Sequence, residues 1–149
     1  MLSRYEMFSS VISGIYRSIQ KIERDEMVRY GYKGAYAQYL VAMNRYPDGV
    51  TSAQLCEICD KDKAAISRVV SEMEEKGLVT RASTNDRQYR AILRLTDEGR
   101  RAAQFVLERG QAAVDAAGLD EESRENFYRA LESVAAAVQT ISRKGIPEE

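Results

Sequence analysis

The chain contains no histidine, which removes the side chain most often used as a general base near neutral pH and as a metal ligand. No nucleophile stands beside a base in a recognisable motif, so an enzyme is not expected. Only two cysteines are present, Cys56 and Cys59, and a structural zinc site would need two further thiolates or imidazoles. The two prolines, Pro47 and Pro147, leave long stretches free to be helical. No apolar run approaches the roughly 20 residues that a membrane span needs. The start, Met1-Leu-Ser-Arg-Tyr-Glu-Met7, is interrupted by charges and is not built as a targeting segment. A cytoplasmic protein without metal or cofactor is expected. Internal repeats and low-complexity tracts are also missing.

With 149 residues and 44% hydrophobic content, the chain has enough apolar surface for one core, and residues 1–149 are expected to form a single domain. Its most informative stretch runs from Gly49 to Val79. Thr51 and Gln54 have the spacing of a capping box and start a short helix with Leu55 and Ile58 facing inward. A break follows at Asp60, and either Asp60 or Asp62 caps a second helix beginning near Lys63. Ile66, Val69, Val70 and Met73 recur at three- and four-residue steps on one face of it, up to Gly77 as C-terminal cap. The other face carries Lys61, Lys63 and Arg68, long cations able to reach phosphates or guanine edges. Ala64, Ala65 and Ser67 between them are small enough for close approach to a major-groove floor. Glu72, Glu74 and Glu75 are held to the trailing end, as suits a helix inserted by its leading half.

Leu78-Val-Thr-Arg81 reads as a short strand and Arg90-Ala-Ile-Leu-Arg-Leu95 as a half-buried one, together a hairpin. Its tip holds Asp86, Arg87, Tyr89 and Arg90, where the cations could lie along a minor groove or backbone and Asp86 would orient an arginine. Thr96 then caps a helix at Asp97. The net charge of -1 looks wrong for a polyanion binder until it is divided. Residues 1–60 are neutral, residues 61–101 carry +3, and residues 102–149 carry −4. The positive part coincides with helix and hairpin, a local field sufficient for phosphate contact.

In this order of parts, Val50 to Arg100 resembles the winged helix-turn-helix of the multiple antibiotic resistance regulator (MarR) family. The resemblance rests on Leu55-Cys-Glu-Ile58, Asp62-Lys-Ala-Ala-Ile-Ser-Arg68, Glu75-Lys-Gly-Leu-Val79, the pair Asp86-Arg87 and the exit Leu95-Thr-Asp-Glu-Gly99. The chain departs from the family pattern at Asp60, where a glycine is usual, and at Ala64-Ala65, where hydroxyl residues are frequent. It departs again at Gln88-Tyr89, which separates the wing arginines. The implied fold is mainly α, a winged helix-turn-helix over residues 34–100 with a small β-hairpin wing, flanked by dimerisation helices over 1–30 and 101–145.

The flanks have their own pattern. Met7, Val11, Ile15, Ile19 and Ile22 line one side of a long helix, and Phe127, Leu131, Val134, Val138 and Ile141 line another near the C-terminus. These faces exceed what a small winged domain can cover, and a second copy of the chain is the simplest closed solution. The family resemblance implies the same homodimer, with two reading helices about one DNA turn apart on a pseudo-palindrome.

Tyrosines cluster at Tyr30, Tyr32, Tyr36, Tyr39 and Tyr46, with Tyr16 a neighbour from the first helix. The resemblance implies a small aromatic or amphipathic effector bound where the dimerisation helices meet the reading part. Tyr16, Tyr36 and Tyr39 are candidates for that pocket, against their simpler use as core packing. Cys56 and Cys59 are candidates for a redox pair, against their simpler use as small hydrophobes. The function expected is a repressor of transcription that binds double-stranded DNA and is released by a small molecule. Alternatives are a winged-helix protein-interaction module and, more remotely, a thiol oxidoreductase.

Overall fold

The Glu6 amide donates to the Ser3 hydroxyl (3.1 Å) and the Ser3 amide to the Glu6 carboxylate (2.7 Å), a capping box that starts the helix α1, Arg4–Tyr30. The computed structural model describes residues 1–82 and 91–148. Gly31 ends α1 with its amide on the carbonyls of Met27 and Val28. A single 3-10 turn, Gly34–Tyr36, leads into α2, Ala37–Asn44. Six of the eight residues of α2 are buried, on every face, so it forms the centre of the core.

Thr51 makes the expected capping box with Gln54 (3.1 and 2.8 Å) at the start of α3, Ser52–Cys59. Leu55 is fully buried, but Ile58 is exposed, contrary to the expected inward pair. Cys56 and Cys59 pack against the core instead. At about 100° per residue, the face shared by Leu55, Cys56 and Cys59 leaves Ile58 roughly a quarter-turn away. Asp60 takes the left-handed conformation (φ 51°, ψ 52°) that ends α3, one that an aspartate tolerates better than most residues. Asp62 is the residue that caps α4, Lys63–Glu75, accepting the Ala65 amide at 2.7 Å.

Ile66, Val69, Val70 and Met73 are all buried, as their spacing predicts. The strands β1, Val79–Ala82, and β2, Ile92–Leu95, pair antiparallel with Val79 opposite Leu95 and Thr80 opposite Arg94. Val50 adds an isolated bridge to Leu93. Ala91, Leu93 and Leu95 point inward and Arg94 outward, so the alternation read from the sequence holds.

Helix α5, Asp97–Asp115, begins where Thr96 accepts the Gly99 amide (3.0 Å) and donates its hydroxyl proton to the Gly77 carbonyl (2.6 Å). The last helix, α6, is Glu121–Lys144 and is capped by Asp120. The chain divides into two compact units, Met1–Ala112 and Ala113–Glu149. The first holds the core around Met27, Leu40, Leu55, Ile66, Met73 and Leu93. In the second, no residue of α6 is buried, and Phe127, Leu131, Val134, Val138 and Ile141 are exposed. No helix among the described residues is long and apolar enough to cross a membrane.

Gly99 sits where any Cβ would overlap the Leu78 carbonyl oxygen. Gly99→Ala should therefore force the start of α5 away from the end of α4 and cost about 2 kcal/mol, read as a lower midpoint in urea unfolding. An unchanged midpoint would show that this contact is not a constraint.

Candidate nucleic-acid interface

The leading half of α4 combines three features that its sequence places on one surface. Lys61, Lys63, Ala64, Ser67 and Arg68 are exposed, and Ala65 is half-buried. Asp62 satisfies only the Ala65 amide, so the first turn keeps unpaired N–H groups and the positive end of the helix dipole on this surface. Among the described residues, none of Lys61, Lys63 and Arg68 is in an ion pair. The buried face fixes the rotation of the helix, so the free cations and small side chains point outward together.

The trailing half is arranged differently. The Tyr36 hydroxyl donates to Glu72 (2.9 Å), as does the Lys33 ammonium (3.2 Å), and Arg81 donates twice to Glu74 (2.7 and 3.1 Å). The Tyr36 hydrogen bond, then that of Lys33, holds the Glu72 carboxyl below its usual range. Glu72 and Glu74 are thus engaged with neighbouring elements, while the cations at the leading end are in no ion pair among the described residues.

Arg94 is a further candidate that the sequence reading did not single out. It is exposed on β2 opposite Thr80, and among the described residues it forms no ion pair. The alternation of Arg90-Ala-Ile-Leu-Arg-Leu95 held the signal, since it placed Arg94 on the outer face. The wing tip, with the candidates Asp86, Arg87, Tyr89 and Arg90, lies outside the described residues.

The tyrosines are divided by the fold. Tyr30 and Tyr32 both donate to one oxygen of Glu98 on α5 (2.9 and 3.2 Å), and Tyr30 packs on Phe105 with ring centroids 5.2 Å apart. Burial, then the bond to Glu98, raises the Tyr30 phenol above its ordinary range. Tyr36 and Tyr39 are buried in the core, whereas Tyr16 is 61% exposed on α1 and accepts from Gln20. A cavity of about 100 Å³ does lie nearby, but its walls are polar, with Gln20, Glu23, Arg24, Gln38 and Lys61. It is well below the roughly 300 Å³ at which sites for drug-sized ligands begin. Glu23 on its wall is pushed up by burial, with Arg45 acting against the shift.

Cys56 and Cys59 are free and half-buried. Burial raises the Cys59 thiol, with Arg45 and Lys61 only partly offsetting it, which is the opposite of a thiolate kept ready to react. No group of histidine, cysteine, aspartate and glutamate that could hold a metal occurs among the described residues.

The MarR family model matches residues 30–101. Similar solved structures include that of MarR, at 21% identity and a TM-score of 0.78, covering 97% of this chain and 99% of that chain. A MarR-family transcriptional regulator from Listeria monocytogenes, complexed with 26mer DNA, has 19% identity and a TM-score of 0.73 over 100% of this chain and 99% of that chain. CouR from Rhodococcus jostii RHA1, bound to p-coumaroyl-CoA, has 21% identity and a TM-score of 0.67 over 91% and 96%. At these identities the likeness is one of fold. No curated protein matches the chain.

Two measurements check the chemistry of this region. Alkylation of Cys59 in the folded protein should be slow at neutral pH and become fast on unfolding. Rapid labelling of the native protein would return the redox reading to consideration. Burial, followed by the bond to Glu72, pushes the Tyr36 phenol up to about 12, against about 10 in an unfolded chain. The stability that it contributes is therefore intact below pH about 10 and lost as the pH rises through about 12. One late phenolate step in an absorbance titration should vanish in Tyr36→Phe. A wild-type titration without that step would refute the assignment.

Proposed function

We propose, from the match of residues 30–101 to the MarR family model, that the protein is a dimeric, sequence-specific DNA-binding transcriptional regulator. In this reading it is a repressor that recognises a pseudo-palindromic operator and is released by a small-molecule effector. The observation that carries the proposal is the segregation on α4: among the described residues, cations in no ion pair and small side chains at the leading end, and the bound carboxylates Glu72 and Glu74 toward the trailing end. Arg68 and Lys63 contact bases or adjacent phosphates, Lys61 a phosphate, and Ser67 makes a short polar contact. The methyls of Ala64 and Ala65 suit thymine methyls. Arg87 and Arg90, with Tyr89 beside them and Asp86 orienting, hold the wing to the backbone or minor groove. Arg94 adds to the same charge.

The dimer reading is supported by apolar side chains that one chain leaves in water. Val11 on α1 is 52% exposed and Val138 on α6 is 53% exposed, each within a stripe of similar residues. Full burial of such a side chain is worth about 1.5–3 kcal/mol, so several per helix favour a second copy. Residues 1–30 and 101–145 then serve dimerisation and 34–100 serve reading, with two α4 helices about one DNA turn apart. An effector fits the same scheme, as a ligand that binds two arrangements of the reading helices unequally. CouR, a protein of this fold, is bound to p-coumaroyl-CoA. The small polar cavity beside Gln20 and Gln38 does not accommodate an aromatic ligand of that kind, and an effector site completed by the second copy fits the scheme. Tyr16 is exposed for such a role, while the Tyr36 hydroxyl is already committed to Glu72. The scheme calls for no catalysis and places the protein in the cytoplasm with DNA.

Selection of genomic fragments at near-physiological salt tests the reading, with an Arg68→Ala, Arg87→Ala variant run alongside. Wild type should recover an inverted repeat that the variant does not. Arg68→Ala alone should weaken binding by about 1–3 kcal/mol while the sedimentation of the dimer stays unchanged. Equal, motif-free recovery by both proteins would instead favour a winged-helix module that meets an acidic protein.

A further inference from the structure

Arg68 and Glu72 are four residues apart on α4, which makes them neighbours on the helix surface. A helix carrying only these two charges would draw them together. Yet Arg68 is exposed and, among the described residues, in no ion pair, its charge reaching Glu72 only as the last and weakest of the influences that lower that carboxyl. The Glu72 carboxylate is occupied from outside the helix: its Oε2 accepts the Tyr36 hydroxyl at 2.9 Å and the Lys33 ammonium at 3.2 Å. The two partners differ in firmness. Tyr36 is 1% exposed, with its ring held in the core, so its hydroxyl has a fixed place. The Lys33 side chain is 65% exposed, and its pairing is screened by salt.

We propose that Glu72 is a positioning residue, held away from Arg68 by Tyr36 and Lys33 so that the Arg68 guanidinium stays free for DNA. This rests on the DNA-binding reading above. The segment Lys33–Tyr36 thereby sets how much of the charge of Arg68 is available at the interface, although it does not itself touch DNA. Loss of the Tyr36 hydroxyl frees Glu72 to turn along α4 toward Arg68 and compete with phosphate or guanine for it. Glu72→Gln removes that competitor altogether. The two substitutions should therefore have opposite consequences, whereas a purely structural clamp would make both harmful.

The test is a double-mutant cycle in the full-length protein, using a fluorescein-labelled duplex of the inverted repeat recovered in the selection and measuring Kd over a range of salt. Tyr36→Phe changes no charge and keeps the ring in the core. It should raise Kd about three- to tenfold, no more than Arg68→Ala does. In the Glu72→Gln background, the same Tyr36→Phe change should leave Kd nearly where it was. Lys33→Gln, run through the same cycle, gives a second reading that does not disturb the core, because the cycle cancels its plain charge effect. Equal losses from Tyr36→Phe in both backgrounds, or no loss in either, would overturn the inference while leaving DNA binding in place. A wild type that recovers no inverted repeat, or that is indifferent to Arg68→Ala, would overturn the functional reading and the inference with it.

Discussion

The apolar face of α4 is what the interface depends on. Ile66, Val70 and Met73 are completely buried and Val69 nearly so, and a helix anchored by four side chains on one face has no freedom to rotate. Its remaining residues are therefore delivered outward as a set. The far end is fixed as firmly: the Thr96 hydroxyl joins the Gly77 carbonyl to the Gly99 amide, and the Leu78 carbonyl lies against Gly99 with no room for a Cβ. Helix α4, strand β1 and α5 meet at this junction, so β1 leaves α4 in a defined direction.

Around that anchored helix, charge is distributed unevenly. The net charge of -1 conceals cations that, among the described residues, stand in no ion pair at one end of α4, and the bound carboxylates Glu72 and Glu74 toward the other. Glu72 and Glu74 tie α4 to the 3-10 turn and to β1, and Glu98 gathers the phenols of Tyr30 and Tyr32 against α5. Most of the tyrosine cluster thus serves as hydrogen-bonded packing around carboxylates. This is the simpler of the two uses that its composition allowed.

Several elements were legible because local rules and tertiary structure agreed. The capping box at Thr51, the stripe on α4, the alternation of β2 and the cap at Thr96 each depend on neighbours within four residues. Two features were not legible for the opposite reason. Helix α2 is buried all round, and a helix without a polar face carries no period to detect. Ile58 has the right spacing from Leu55 to face inward, but the core contacts α3 between Leu55, Cys56 and Cys59. The orientation of so short a helix is set by what it packs on.

The sequence by itself determined the order of elements, the asymmetry of charge along α4, and the presence of apolar stripes on the terminal helices, because these follow from the periods of helix and strand. Only the tertiary structure decided which charges are free. Lys33 meets Glu72 across 39 residues and Tyr30 meets Glu98 across 68, and no local pattern encodes such pairings. The chain could announce a basic helix, but the partners that occupy Glu72 and leave Arg68 out of an ion pair arrive from a segment 36 to 39 residues away.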